Sequence, residues 1–400
     1  MKESVKEVKV EKKDKILILT CTFGEGHRQV AKAIHEATQA SEDIESIIVD
    51  FMEWISPCFY SISRNVYLKG IIKFPRLYGH FYEKTRRRNS FTQKLNKFFS
   101  FRMLQMLKLL EEIQPTFVVS TFPIASGVIS KLKEHGLTNI PAVTIITDYT
   151  NHSLWLHPYI DHYIVGSSLV RQALIEQGVE HFKISATGIP IKSKFYQSYS
   201  RNELTSQFGF KKDLPIIMIM GGGYGIIGDN IIRELDTLPS SIQLIIVCGH
   251  NKKLLHRMKR VVKYSNRKIH LTGYVDYIHE LMAISDVMIT KPGGITTTEA
   301  MASGLPMIFY KPLPGQEQDN TAFLVRERAA IHVKNLNDLK ANISNLLNNS
   351  QQLEQMIENG KRIHMKTSFL AALNVIVRTR NTTSEKETQS LERIDSFGQL

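Results

Sequence analysis

Val287-Met288-Ile289-Thr290-Lys291-Pro292-Gly293-Gly294-Ile295-Thr296-Thr297-Thr298-Glu299 is the stretch on which the fold turns. An apolar run of strand composition, 287–289, ends in a Gly-Gly turn and passes into a helix that carries Glu299. A further strand follows at 307–310, and after it the polar run Pro314-Gly315-Gln316-Glu317-Gln318-Asp319-Asn320. Strand, glycine turn, helix and strand in that order form the unit of a parallel sheet in an α/β fold. A Gly293-Gly294 turn at a helix start is an anion site, because unpaired backbone N–H groups and the helix dipole converge there. Glu299, one helical turn further on, can accept two hydrogen bonds from a vicinal diol such as a ribose. Gln316, Glu317 and Asn320 offer polar side chains on the same carboxyl-terminal strand edge, where doubly wound folds bind ligands. Phosphate, diol and polyol recognition in that order fits a nucleoside diphosphate sugar.

Working outward, strand-like runs recur at 216–220, 244–248 and 268–271, giving one series with 287–289 and 307–310. An earlier series runs 15–21, 46–50, 117–120, 142–147 and 162–165, with a helix expected over 28–38. Alternation of strands with helical stretches predicts two doubly wound α/β units of similar size. The polar stretch 194–212 has no sustained apolar period and reads as the linker between a domain at 14–193 and a domain at 213–365. The charged stretch 1–13 and the polar stretch 382–400 have little to bury and read as tails. With 400 residues and 42% apolar composition, each domain can have its own core.

Two further glycine loops repeat the strand-to-helix design. Phe23-Gly24-Glu25-Gly26-His27 opens the first helix, and Gly221-Gly222-Gly223-Tyr224-Gly225 follows the strand at 216–220. Gly223, Gly225 and Gly228 also match G-x-G-x-x-G. A dinucleotide site needs an acid at the end of the next strand, and the sequence there is Cys248-Gly249-His250-Asn251. The dinucleotide reading is accordingly weak.

The formal net charge is +13, and the excess is concentrated. Between residues 60 and 110 stand twelve Lys and Arg residues, including Arg86, Arg87 and Arg88, against one acid, Glu83. Aromatic residues are interleaved with them, among them Phe74, Tyr78, Phe81, Tyr82, Phe98 and Phe99. Such a segment suits an anionic membrane surface, where rings enter the headgroup layer and each base contributes roughly 1 kcal/mol. It also suits a nucleic acid. No apolar run approaches the roughly 18–20 residues needed to span a bilayer. The amino-terminal stretch lacks the pattern of a secretory signal, so a cytoplasmic location is expected. Cys21, Cys58 and Cys248 share no disulfide or zinc spacing.

Taken together, F-G-E-G-H, T-D-Y, T-G-I-P, G-G-G-Y-G, C-G, G-Y-V, T-K-P-G-G-I-T-T-T-E and P-G-Q-E-x-x-N resemble the family of monogalactosyldiacylglycerol synthases and processive diacylglycerol β-glucosyltransferases. The peptidoglycan enzyme that adds N-acetylglucosamine to a lipid-linked precursor is a more distant relative. The resemblance covers residues 15–380. It implies a GT-B fold, two Rossmann-like domains facing a cleft, with a helix over 366–381 crossing back to the first domain. It also implies a UDP-sugar donor, inversion at the anomeric carbon and a diacylglycerol-type acceptor, hence glycolipid synthesis by a protein peripheral to the cytoplasmic face of the membrane. A transferase for another lipid-linked acceptor, such as a cell-wall precursor, and a non-catalytic basic membrane-binding protein are the alternatives. No nucleic-acid partner is expected.

An inverting transfer needs a base for the acceptor hydroxyl. His27 matches the family's loop histidine, and an imidazole with a reference pKa near 6.5 suits the task. Asp148, in Thr147-Asp148-Tyr149, is the second candidate, as base or as the carboxylate orienting His27. No D-x-D triplet exists to hold a divalent metal, so no metal is expected. Charge developing on the leaving UDP would be met by backbone N–H groups at Gly223, Gly225, Gly293, Gly294 and Thr296. The resemblance assigns Gly249, Tyr274 and Val275 to the nucleotide, Glu299 to the ribose, and Gln316, Glu317 and Asn320 to the sugar hydroxyls. It assigns Gly26, Trp155, Arg86, Arg87, Arg88, Phe98 and Phe99 to the acceptor and the membrane.

Overall fold

The computed structural model describes residues 13–22, 24–55, 74–87, 102–221, 230–239, 241–364 and 368–379. Gly223, Gly225, Arg88, Phe98 and Phe99 lie outside the described residues.

Two parallel six-stranded sheets carry the chain. The first contains β1 (Asp14–Thr20), β2 (Ile44–Asp50), β3 (Phe117–Ser120), β4 (Ala142–Ile145), β5 (His162–Ile164) and β6 (Ile184–Ser185), in the order β2-β1-β3-β4-β5-β6. The second contains β7 (Ile216–Met220), β8 (Gln243–Val247), β9 (Lys268–Thr272), β10 (Val287–Thr290), β11 (Met307–Tyr310) and β12 (Ala330–Val333), in the order β12-β11-β10-β7-β8-β9. Parallel strands are covered on both faces, which is why they read as unbroken apolar runs. Ile16, Leu17, Ile18 and Leu19 in β1 are all fully buried. Along β7 the side chains alternate between two cores. Ile216, Met218 and Met220 join a cluster continuous with the first domain, while Ile217 and Ile219 join one on the far face of the second sheet.

Strand order reverses beside β1 in the first sheet and beside β7 in the second. At such a switch point the connections leave in opposite directions and open a crevice beyond the strand ends. Into these crevices project the starts of α1 (Glu25–Thr38), which follows β1, and of a helix at Gly294–Ala302, which follows β10.

The expected linker is more ordered than its composition implies. It includes a 3₁₀ turn at Ser193–Tyr196 and a helix at Arg201–Gln207, whose N-cap Ser200 accepts from the Glu203 amide. Arg201 pairs with Asp286 of the second domain at 2.8 Å. Near the carboxyl end, residues 368–379 are helical. Phe369, Ala372, Leu373 and Ile376, spaced for one helical face, are buried in the core shared with the first domain. Ser368 Oγ donates to the Ile189 carbonyl at 3.0 Å. The chain thus returns to its first domain. Among the described residues no helix is long and apolar enough to cross a membrane.

Candidate active site

A cavity of about 750 Å³ lies between the two sheets and draws its walls from both domains. On the first-domain side, α1 begins at Glu25, three residues earlier than the apolar period implies, so His27 stands in the helix's first turn rather than on a loop. Gly24, its N-cap, provides no side-chain hydrogen bond, which leaves this helix start without a sequence signature. His27 Nδ1 and Thr147 Oγ1 share a hydrogen bond of 3.2 Å, and Thr121 Oγ1 donates to the His27 carbonyl at 3.0 Å. The imidazole packs 5.6 Å from the Phe122 ring and 6.0 Å from Trp155. Burial lowers its pKa to about 4, opposed by a hydrogen bond to the Thr121 backbone. The ring is therefore neutral near pH 7 and free to accept a proton. Trp155, in a buried 3₁₀ turn at Ser153–Trp155, lines the same cavity. Gly26 stands close to Ile295 of the second domain.

Asp148 does not orient His27; that place is taken by Thr147. Asp148 Oδ1 instead accepts from Asn320 Nδ2 at 2.8 Å and from the Gly294 amide at 3.3 Å. Burial raises its pKa to about 6 against those two hydrogen bonds. The carboxylate thus caps the start of α2 in the second domain, α2 being the helix Gly294–Ala302. Gly294 is a glycine for steric reasons as well, since a Cβ there would lie 2.1 Å from the Thr147 carbonyl oxygen. Its N–H, expected to face a phosphate, is directed at Asp148, while Gly293 and Thr296 line the cavity.

Asn320 also departs from expectation. It is fully buried, accepts from the Tyr149 amide at 2.7 Å, and donates to Asp148 and to the Pro292 carbonyl. Its amide is fully used within the protein, so it positions the two domains instead of reading a sugar.

The remaining donor-side residues converge on the cavity. Glu299 is pushed up to about 8 by burial, opposed by Lys192 and Lys194 and reinforced by Glu25. Burial likewise raises the Glu317 pKa, with Lys291 acting against it. Gln316 Oε1 accepts from Tyr78 of the first domain at 2.6 Å. The Tyr274 ring stacks on His250, with centroids 4.2 Å apart and planes 14° from parallel, at a rim also lined by Val275 and Gly249. Gly249 adopts a φ of +55°, the left-handed conformation a glycine holds without strain.

Of the bases expected at a membrane, Arg86 is otherwise engaged. It forms a salt bridge to Asp319 at 2.6 Å and another to Glu83 at 2.8 Å. Arg87 is exposed.

The sequence analysis gave no role at the cleft to Thr147, Lys192, Lys194, Lys291 and Tyr78, which line the cavity, or to Asp319, which does not line it but joins the two domains beside it. Lys192 and Lys194 lie two and four residues beyond the T-G-I-P motif, and Asp319 is an unspecified position of P-G-Q-E-x-x-N. Their adjacency to those motifs was the available signal.

Comparison with known proteins accords with this geometry. Residues 27–191 match the family described as monogalactosyldiacylglycerol (MGDG) synthase, and residues 229–363 match glycosyl transferases group 1. A processive diacylglycerol β-glucosyltransferase of Bacillus pumilus is 32% identical, with 94% of this chain and 97% of the relative covered. The protein of the same description from Bacillus subtilis is 29% identical, with 93% and 97% covered. Among solved structures, Acinetobacter baumannii MurG aligns over 92% of this chain and 99% of its own, with a TM-score of 0.60 at 14% identity. Staphylococcus aureus MnaA with UDP aligns over 89% and 94%, with a TM-score of 0.60 at 13% identity. These two likenesses bear on the fold, the GT-B arrangement of two Rossmann-like domains.

Proposed function

The chain belongs to the family of the processive diacylglycerol β-glucosyltransferases and is a hexosyltransferase that moves sugar from a UDP-sugar to a diacylglycerol lipid; we propose that it does so with inversion, without a metal ion, at an anionic surface on the cytoplasmic face of the membrane. The observation that carries this reading is a neutral imidazole, His27, sharing one cavity with the start of α2 and with Glu299, Glu317 and three lysines. The acceptor hydroxyl loses its proton to His27 as its oxygen attacks the anomeric carbon, and the bond to UDP breaks on the opposite face. The Ile295 and Thr296 amides at the start of α2, with Lys192, Lys194 and Lys291, supply the positive field for the leaving diphosphate. Glu299 takes the ribose, and the Tyr274–His250 stack lies at the nucleobase end.

Glu317 is the side chain of the 314–320 run left facing the cavity without a partner in the other domain, and we assign it to the sugar hydroxyls. Glu317→Gln is expected to raise the KM for the UDP-sugar about 10- to 100-fold, the range for a charged hydrogen bond. An unchanged KM in steady-state kinetics would remove Glu317 from sugar recognition.

A helix at Pro75–Thr85 supports the membrane assignment. Phe74, Leu77 and Phe81 lie on one edge and are 63%, 69% and 41% exposed, with exposed Arg76, Lys84 and Arg87 nearby. Phe81 also lines the cavity, so this apolar edge leads to its mouth and offers a lipid a path from the bilayer. Leu77→Asp is expected to weaken retention on vesicles of phosphatidylglycerol about 10- to 100-fold with UDP affinity unchanged. Equal retention of variant and parent would place the membrane contact elsewhere.

The decisive assay is transfer from a panel of UDP-sugars in vesicles containing diacylglycerol and anionic lipid, with and without EDTA. EDTA-insensitive release of UDP with a new glycolipid is the expected result. Loss of turnover on chelation would refute the metal-free mechanism, and absence of any glycolipid would refute the acceptor.

A further inference from the structure

The helix at Pro75–Thr85 presents a second edge, directed inward. Tyr78, Tyr82 and Arg86 recur every fourth residue and meet the run that carries Glu317. Tyr78 donates to Gln316 at 2.6 Å. Asp319 is the most heavily used acceptor in this run. Its Oδ2 accepts from Thr150 at 2.7 Å, from Tyr82 at 2.9 Å and from Arg86 Nη1 at 3.2 Å, and its Oδ1 accepts from Arg86 Nη2 at 2.6 Å. The backbones approach closely as well. A Cβ on Gly79 would lie 2.6 Å from Pro314 Cβ, and one on Gly315, at a φ of +95°, would lie 2.9 Å from the Tyr78 ring.

Two consequences follow from this packing. The Asp319 carboxylate does not line the cavity, yet it fixes the first turn of the helix Gln316–Arg326, and Glu317 stands in that turn. The helix gripping Asp319 is also the one whose neighbouring edge, about 100° around the axis, exposes Phe74, Leu77 and Phe81.

We propose that Asp319 is a positioning residue that couples the lipid surface to the donor site, so that bilayer docking of the helix Pro75–Thr85 and binding of the UDP-sugar strengthen one another. The proposal rests on the membrane contact assigned above. Docking holds the helix where its inner edge meets Asp319, which sets Glu317 at the sugar. Sugar binding holds the same loop where it meets the helix. Coupling between two binding events is reciprocal, so vesicles must tighten donor binding by the factor by which donor tightens vesicle binding.

The test uses the full chain and vesicles of phosphatidylglycerol and phosphatidylcholine without diacylglycerol, so that no transfer occurs. Kd for UDP-glucose and for UDP is measured with and without vesicles, in the parent protein and in Asp319→Asn and Tyr82→Phe. In the parent, vesicles are expected to tighten UDP-glucose about 5- to 10-fold, within the usual range of coupling, and to leave UDP unchanged. In Asp319→Asn the ratio for UDP-glucose is expected to fall to one, with UDP affinity and vesicle retention intact. Tyr82→Phe, which removes one of four hydrogen bonds to Asp319, is expected to fall between. A parental ratio in Asp319→Asn, or vesicle retention by the parent with no change in donor affinity, would overturn the coupling while leaving the membrane contact standing. Loss of UDP affinity in Asp319→Asn would reassign the residue to folding and also overturn it. Absence of vesicle binding by the parent would overturn both readings.

Discussion

Replacing Gly294 by alanine is expected to lower kcat/KM by about 10²-fold while leaving both sheets folded, because the added methyl group enters a gap between the domains too narrow to hold it. Its Cβ would lie 2.1 Å from the Thr147 carbonyl oxygen and 3.0 Å from Asp148 Cα. Both are backbone atoms, and a third obstacle, Asp148 Oδ1 at 3.0 Å, belongs to a carboxylate already held by Asn320, so no flexible side chain can swing aside. Relief requires about 1 Å of separation between the start of α2 and the segment after β4, a displacement of the size that costs about two orders of magnitude in rate when it misplaces reacting groups. That segment holds Thr147, which shares the hydrogen bond with His27. The change therefore moves the base away from the donor and weakens the Gly294 N–H contact to Asp148 in one step. Each domain has its own sheet, so the far-ultraviolet circular dichroism should match the parent. Activity within threefold of the parent would mean that the close approach at Gly294 is not the arrangement in which transfer occurs.

The division of the chain into two parallel sheets was legible because strands such as β1, β7 and β10 are apolar throughout, as burial on both faces demands. β6 and β12 escaped notice for a physical reason. β6 has two residues, and β12, Ala-Ile-His-Val, carries a polar side chain in a short edge strand. The site was legible where function follows from place in the fold. His27, Glu299, Gln316 and Glu317 all lie just beyond strand ends on the cleft side, which the strand–turn–helix pattern locates without knowledge of the other domain. What crosses the cleft was not legible. Asp148, Asn320 and Arg86 each meet a partner more than 140 residues away in sequence, and nothing in the local pattern says which residue of one sheet edge faces which of the other. The basic segment shows the same division. Its excess of charge is visible in the composition, but the engagement of Arg86 by Asp319 depends on tertiary contact.

His27→Ala is expected to lower kcat about 10²- to 10⁴-fold with little change in UDP affinity, the loss usual for removal of a general base. The pH profile separates this assignment from its competitor. The imidazole is competent when neutral, and burial places its pKa at about 4. With His27 as base, the main acid limb of kcat/KM lies near 4, because the ring is neutral above it, and protonation of Asp148 between pH 7 and pH 5 costs only the smaller part of the rate carried by the domain contact. Asp148 is competent when ionised, and its pKa is raised to about 6. With Asp148 as base, kcat/KM would fall about tenfold on going from pH 7 to pH 5, as protonation removes the carboxylate. Asp148→Asn sharpens the comparison. It keeps an oxygen that can face the Gly294 amide and loses the charge, so some rate is lost through the domain contact while the acid limb near 4 persists. A full tenfold acid limb near 6 in the parent, with no limb near 4 in Asp148→Asn, would transfer the role of base to Asp148 and leave His27 as a packing residue against Phe122 and Trp155.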